Sequence, residues 1–163
     1  MRNPIIAALD VPTAEQALKL AEAIAPAVGA FKIGSELFTA AGPDIVKRVR
    51  ATGASVFLDL KFHDIPNTVA KAVTAAVQLD VQMLTVHTSG GFEMLKAAEQ
   101  AAEEIAWKLG RTPPLVLGVT VLTSLDTAAL REVGLDVNVE YQVRRLATLA
   151  MKARRRMGYP PQN

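Results

Sequence analysis

The segment DLKFHDIPNT, residues 59–68, places Asp59, Lys61, His63 and Asp64 within six residues at the end of an apolar run. Residues two apart on a strand share a face, so Asp59 and Lys61 are expected to project together. Closely coupled charges of this kind titrate as a unit, and burying them is costly unless each is paired. Apolar strands have no need of alternating opposite charges at their ends, which favours a functional reason for the cluster. Asp10, Asp59 and Asp64 also read as oxygen ligands for Mg2+, which commonly takes one or two carboxylates plus substrate oxygens. The Lys61 ammonium disfavours a cation bound very close by.

Each residue also has a plainer reading. Asp64, at the start of a helix, suits a cap beside the partial positive charge of the helix N-terminus. Asp10, before VPT, can simply terminate a strand. His87 reads as a hydrogen-bonded structural histidine, His63 as a solvated one, and Lys32 as half of an ordinary ion pair.

Short apolar runs alternate with longer alanine-rich segments, and these elements must position the charged residues. The strand-like runs are PIIAAL, GAFKIG, SVFLDL, VQMLTVH and PLVLGVTVL. Between them lie the helical segments PTAEQALKLAEAIAPAV, GPDIVKRVRATG, IPNTVAKAVTAAVQLD and FEMLKAAEQAAEEIAWKLG. Thr13 is placed to cap the first, with Gln16 as its capping-box partner, and Gly53 to stop the second. A short helical insert over 126–132 leads into a helix starting near Asn138. Strand centres lie roughly 25–33 residues apart, the spacing of repeated βα units feeding a parallel sheet.

A (β/α)8 barrel and an open doubly wound sheet share that pattern. Polar residues separate them. Asp10 ends strand one, Lys32 lies in strand two, and Asp59 and Lys61 end strand three. His87 ends strand four, and Thr120, Thr123 and Ser124 end strand five. Barrel enzymes build their sites from every βα junction on one face, whereas open sheets concentrate ligand groups at a switch point. LDVPTAEQA, after strand one, lacks both the dinucleotide fingerprint and the P-loop. The expectation is α/β, with the βα units of a (β/α)8 barrel.

The chain has 163 residues, half of them hydrophobic and 21% charged, which fits one globular domain. It has no cysteine, so disulfides, thiol nucleophiles and thiolate metal sites are excluded. The run IIAAL stops at Asp10, too short for the core of a signal peptide, and no apolar run approaches the roughly 20 residues of a membrane span. A cytoplasmic location follows as the expectation. Lys152, Arg154, Arg155 and Arg156 lie in the final twelve residues; without them 14 basic residues face 16 acidic ones, a formal charge of −2 instead of +2. The basic balance belongs to the tail and gives no basis for nucleic-acid binding by the body.

The segments ALDVPT (8–13), FKIGSELF (31–38), VFLDLKFHDIPNTV (56–69), TVHTSGG (85–91) and GVTVLTS (118–124) resemble the orotidine 5′-phosphate decarboxylase family in order and spacing, over residues 4 to 152. The resemblance implies conversion of orotidine 5′-monophosphate to uridine 5′-monophosphate and CO2 in pyrimidine biosynthesis. It also implies a homodimeric (β/α)8 barrel with no metal or organic cofactor. Lys61 is then the proton donor to pyrimidine C6, and Asp59 lies beside the substrate carboxylate and holds Lys61. Asp64 enters the neighbouring subunit's site and completes a Lys-Asp-Lys-Asp network with Lys32. Asp10 and Lys32 contact the ribose hydroxyls, and Thr68 reaches across the interface. Thr123 and Ser124 meet the pyrimidine, while His87 lies near the site with no chemical step. DLKFHD also satisfies the D-x-K-x-x-D pattern of Mg2+-dependent sugar-phosphate decarboxylases and synthases of the same superfamily, but IPNT and FKIGSELF favour the orotidylate family.

After residue 152 the likeness stops. RRRMGYPPQN has no strand pattern, and Pro160-Pro161 cannot continue a helix. Residues 1–152 are therefore expected to form a partial barrel of about five βα units, and 153–163 a disordered basic tail. A complete barrel takes about 250 residues. The expectation is a truncated or frame-shifted product without the family's phosphate-binding arginine, glutamine and mobile loop. Inactivity of the isolated chain follows, and a catalytically silent fragment is the alternative reading.

Overall fold

A computed structural model describes residues 3–155. Five strands alternate with helices: β1 (Ile6–Ala8), α1 (Ala14–Ile24), β2 (Ala30–Gly34), α2 (Ser35–Ala41), α3 (Asp44–Arg50), β3 (Ser55–Phe62) and α4 (Pro66–Gln78), followed by β4 (Met83–His87), α5 (Phe92–Lys108), β5 (Leu115–Val119), α6 (Thr127–Glu132) and α7 (Val139–Arg155). All neighbouring strands pair in parallel, in the order β1-β2-β3-β4-β5.

That order decides between the two candidate architectures. A doubly wound sheet reverses direction at a switch point and carries helices on both faces. Here each strand adds to the same side of its predecessor. The register also divides the sheet into two unlike faces. Phe31, Ile33, Val56, Leu58, Leu84 and Val86 share one face and form a single core with Ala17, Ala21, Leu37, Val46, Val49, Val69, Val73, Met94 and Ala98 of the helices. Each large side chain fully buried there contributes about 1.5–3 kcal/mol. Lys32, Phe57, Asp59, Thr85 and His87 alternate with those residues and belong to the opposite face. The architecture is that of consecutive βα units of a (β/α)8 barrel, with an open sheet. Ile6 and Leu115, on its two edge strands, are 42% and 41% exposed.

Local signals act where the sequence puts them. Thr13 Oγ1 accepts the Gln16 N–H at 3.3 Å and caps α1. Gly53, at φ +86°, follows the end of α3. The helix α2 is an addition to the sequence reading; Gly42, at φ +69°, ends it and separates it from α3. At the other end of the barrel axis, Arg50 donates to Asp80 Oδ2 from Nε at 3.1 Å and from Nη2 at 2.8 Å, and to the Ala54 carbonyl at 2.5 Å. One guanidinium thus ties α3 to the loops that enter β3 and β4. The helix α7 runs through the 152/153 boundary, with Ala153 in the core; the rest of the expected tail, 156–163, lies outside the described residues. Among the described residues, no helix is long and apolar enough to cross a membrane.

Glu99 and Glu103, one turn apart on α5, line a cavity of about 190 Å³ with Arg154 and the residues entering β5. Burial pushes the Glu99 carboxyl up to about 7, with Arg154 opposing and Glu103 adding to the rise.

Two outcomes follow. The folded state binds the Glu99 proton more tightly than the unfolded chain, so this group's contribution to stability falls as pH rises from about 4.5 to about 7. Thermal melts of Glu99→Gln should therefore exceed the parent at pH 8 by a wider margin than at pH 5. Arg50→Ala should cost about 1–2 kcal/mol in urea unfolding, because it removes partly buried charge-assisted hydrogen bonds.

Candidate active site

Parallel strands deliver all their C-terminal ends to one side of the sheet, and the charged residues gather there. Asp10 follows β1 by two residues. Lys32, in the middle of β2, donates to Asp10 Oδ1 at 2.8 Å. Next to this pair, at the end of β3, Lys61 Nζ lies 2.9 Å from both Asp59 Oδ1 and Oδ2.

The second pair is not built by plain strand alternation. Leu58 pairs with Leu84 and Phe62 with Val86, so three residues of β3 face Thr85 alone on β4. Such a bulge bends the strand and re-aims its side chains. Lys61 lies inside it at φ +52°, a left-handed conformation costing a lysine about 1–2 kcal/mol. Its N–H donates to Thr85 Oγ1 at 2.9 Å, and the Thr85 hydroxyl donates to Asp59 Oδ1 at 2.9 Å. Thr85 is 4% exposed. The sequence reading passed over it, although it stands two residues before His87 on the same strand face, where period 2 marks a polar inward residue.

Burial pushes the Asp59 carboxyl up, but hydrogen bonds from Lys61 and Thr85, and the charges of Lys61 and Lys32, outweigh it and hold the group below its ordinary value. The acid is therefore ionised, facing an ammonium. His87 moves below the ordinary histidine value, through burial first and then the nearby His63 and Lys61 charges. Its ring stands 5.3 Å from that of His63, centroid to centroid. A neutral imidazole thus borders the ion pair.

The remaining candidates lie further out. Asp64 is exposed, and its Oδ1 accepts the N–H of Ile65 at 2.6 Å. It does not cap α4: the cap position is Ile65, with no side-chain hydrogen bond, and Pro66 opens the helix. Thr68, in the first turn of α4, is exposed. Thr123 and Ser124 are exposed in the turn before α6, and Thr120 is half-buried just past β5. Within the chain, none of Asp64, Thr68, Thr123 or Ser124 hydrogen-bonds to Lys32, Asp59 or Lys61 among the described residues. Nor do Asp10, Asp59 and Asp64 gather as Mg2+ ligands; among the described residues no three acidic or histidine side chains form a metal-binding group. The first two carboxylates are instead occupied by ammonium ions.

An ammonium clasped by an ionised carboxylate, with a second ammonium close by, can stabilise negative charge on a neighbouring atom and then supply a proton to it. The chain as a whole is similar to known proteins in sequence and in fold. The chain is 54% identical, over 93% of its length, to an orotidine 5′-phosphate decarboxylase of Moorella thermoacetica, and it spans 61% of that relative. Among solved structures, an uncharacterized conserved protein from Geobacillus kaustophilus superposes with a TM-score of 0.86 at 34% identity, over 92% of this chain and 70% of that one. An orotidine 5′-phosphate decarboxylase from Lactobacillus acidophilus gives 0.81 at 35% identity, over 93% and 68%. The family model described as orotidine 5′-phosphate decarboxylase / HUMPS matches residues 3–160, running past the end of likeness expected at residue 152, and the chain belongs to that family.

Proposed function

We propose that the protein carrying this site converts orotidine 5′-monophosphate to uridine 5′-monophosphate and CO2, as a cytoplasmic homodimer that uses no metal or organic cofactor. The observation that carries this reading is the Lys61 ammonium, held 2.9 Å from both oxygens of Asp59. The C6–carboxylate bond breaks and CO2 leaves without the bonding electron pair, which stays on C6. The ammonium stabilises that charge and transfers its proton to the carbon, and solvent then reprotonates the amine. Since the ammonium is already in place, little reorganisation accompanies charge development.

Asp59 lies beside the substrate carboxylate in this reading. Asp10 and Lys32 receive the ribose hydroxyls, and their 2.8 Å pairing sets the two groups at one edge of the site. Thr123 and Ser124, after β5, meet the pyrimidine, and His87 borders the site without a chemical step. Asp64 and Thr68 act in the partner subunit's site. Their exposure, together with that of Ile65 between them at 66%, supports a surface that meets a second copy. A partner's Asp64 then adds a carboxylate to Lys32, Asp59 and Lys61.

Three experiments on the full-length protein test this. Lys61→Ala should lower turnover of orotidine 5′-monophosphate at least about 10³-fold while leaving the circular dichroism unchanged; near-normal turnover overturns the assignment. Chelation of divalent ions should leave the parent rate unaltered, and a Mg2+ requirement would favour the sugar-phosphate branch of the superfamily. Mixing inactive Lys61→Ala with inactive Asp64→Ala should restore activity, because one site of each mixed dimer is then whole. If native mass spectrometry shows mixed dimers and no activity returns, Asp64 does not act in trans.

A further inference from the structure

The bulge in β3 poses a problem that one side chain on β4 answers. Between the Leu58–Leu84 and Phe62–Val86 pairings, Asp59, Leu60 and Lys61 stand opposite Thr85. The Lys61 backbone, turned left-handed there, directs its N–H to a side chain, the Thr85 hydroxyl. A hydroxyl has a single proton to give, and that of Thr85 goes to Asp59 Oδ1. Asp59 in turn receives the Lys61 ammonium on both oxygens. Backbone, hydroxyl, carboxylate and ammonium therefore form a closed ring that begins and ends on Lys61. The β-branched threonine restricts the rotation of its own hydroxyl, and burial shields it from competing water.

We propose that Thr85 is a positioning residue of this site: its hydroxyl locks the left-handed Lys61 backbone and the Asp59 carboxylate together, and so sets where the Lys61 ammonium stands. The inference rests on the decarboxylation reading above for its kinetic consequence, but not for its structural one. Thr85 touches no reacting atom; it acts through Asp59 and Lys61. The other groups acting on Asp59 are Lys61 itself and Lys32 on β2, the latter paired with Asp10 beyond β1, while His87 follows Thr85 on the same face of β4. None of them bonds the Lys61 N–H, so none substitutes for the hydroxyl.

The test compares Thr85→Val, which keeps the shape and removes both hydrogen bonds, with Thr85→Ser, which keeps both, in the full-length protein. Thr85→Val should lower kcat by about 10- to 100-fold with KM within about 3-fold, as for a small misplacement of a reacting group. Loss of the Thr85 hydrogen bond should also move the Asp59 titration, followed by carboxyl 13C NMR, to higher pH. The acid limb of the rate profile should move with it. Thr85→Ser should recover most of the rate and the parent titration. Equal losses in both variants, tracking a lowered melting temperature, would reduce Thr85 to a structural role and overturn the proposal; so would a Thr85→Val variant with parent rate and titration. If the parent itself lacks decarboxylase activity, the functional reading fails alone, and the Asp59 titration still decides whether Thr85 controls the pair.

Discussion

A lysine ammonium fixed on both oxygens of an ionised carboxylate organises the C-terminal end of this sheet. The contact requires Lys61 in a left-handed conformation within a strand, which a lysine does not adopt unaided. The β3 bulge creates that conformation, and the bond from the Lys61 N–H to Thr85 gives the displaced backbone a partner. Local strain is thus held by neighbours on another strand, a common arrangement where a side chain must stand ready for chemistry.

The fold makes such a cluster affordable by separating its two tasks by face. Helices cover one side of the parallel sheet and bury Phe31, Ile33, Leu58, Leu84 and Val86. The alternate residues of the same strands face the other way, where Lys61, Asp59 and Thr85 satisfy one another and Lys32 pairs with Asp10. The apolar core then comes from one set of residues and the charged cluster from the other, along the same strands.

Carboxylates at opposite ends of the sheet show how local partners decide ionisation. Asp59 and Glu99 are both partly buried, and burial raises both. Asp59 has hydrogen bonds from Lys61 and Thr85 and ends below its ordinary value, whereas Glu99 has Arg154 opposed by Glu103 and ends near 7. Burial sets the direction for Glu99, whose charged partners oppose each other, and is overridden at Asp59, where every partner favours the ionised form.

Much of this was legible in the residues themselves. Alternating apolar runs and alanine-rich segments located the five strands, and Thr13 and Gly53 marked helix ends through short-range bonding and backbone freedom. The charges at strand ends pointed to a barrel-type arrangement, and DLKFHDIPNT marked the Asp59–Lys61 pair. These features are local or periodic, so a linear reading reaches them. The short helix α2 was missed because it follows β2 with no side-chain cap to announce it, and the capping reading of Asp64 gave way to Ile65 and Pro66. The sequence by itself determined which charges are present and which side of the sheet they reach. Only the tertiary structure decided that Lys61 turns left-handed and that Thr85 closes the ring around it. Those outcomes depend on the register between β3 and β4, where Lys61 and Thr85 lie 24 positions apart in the chain and meet only when the strands pair.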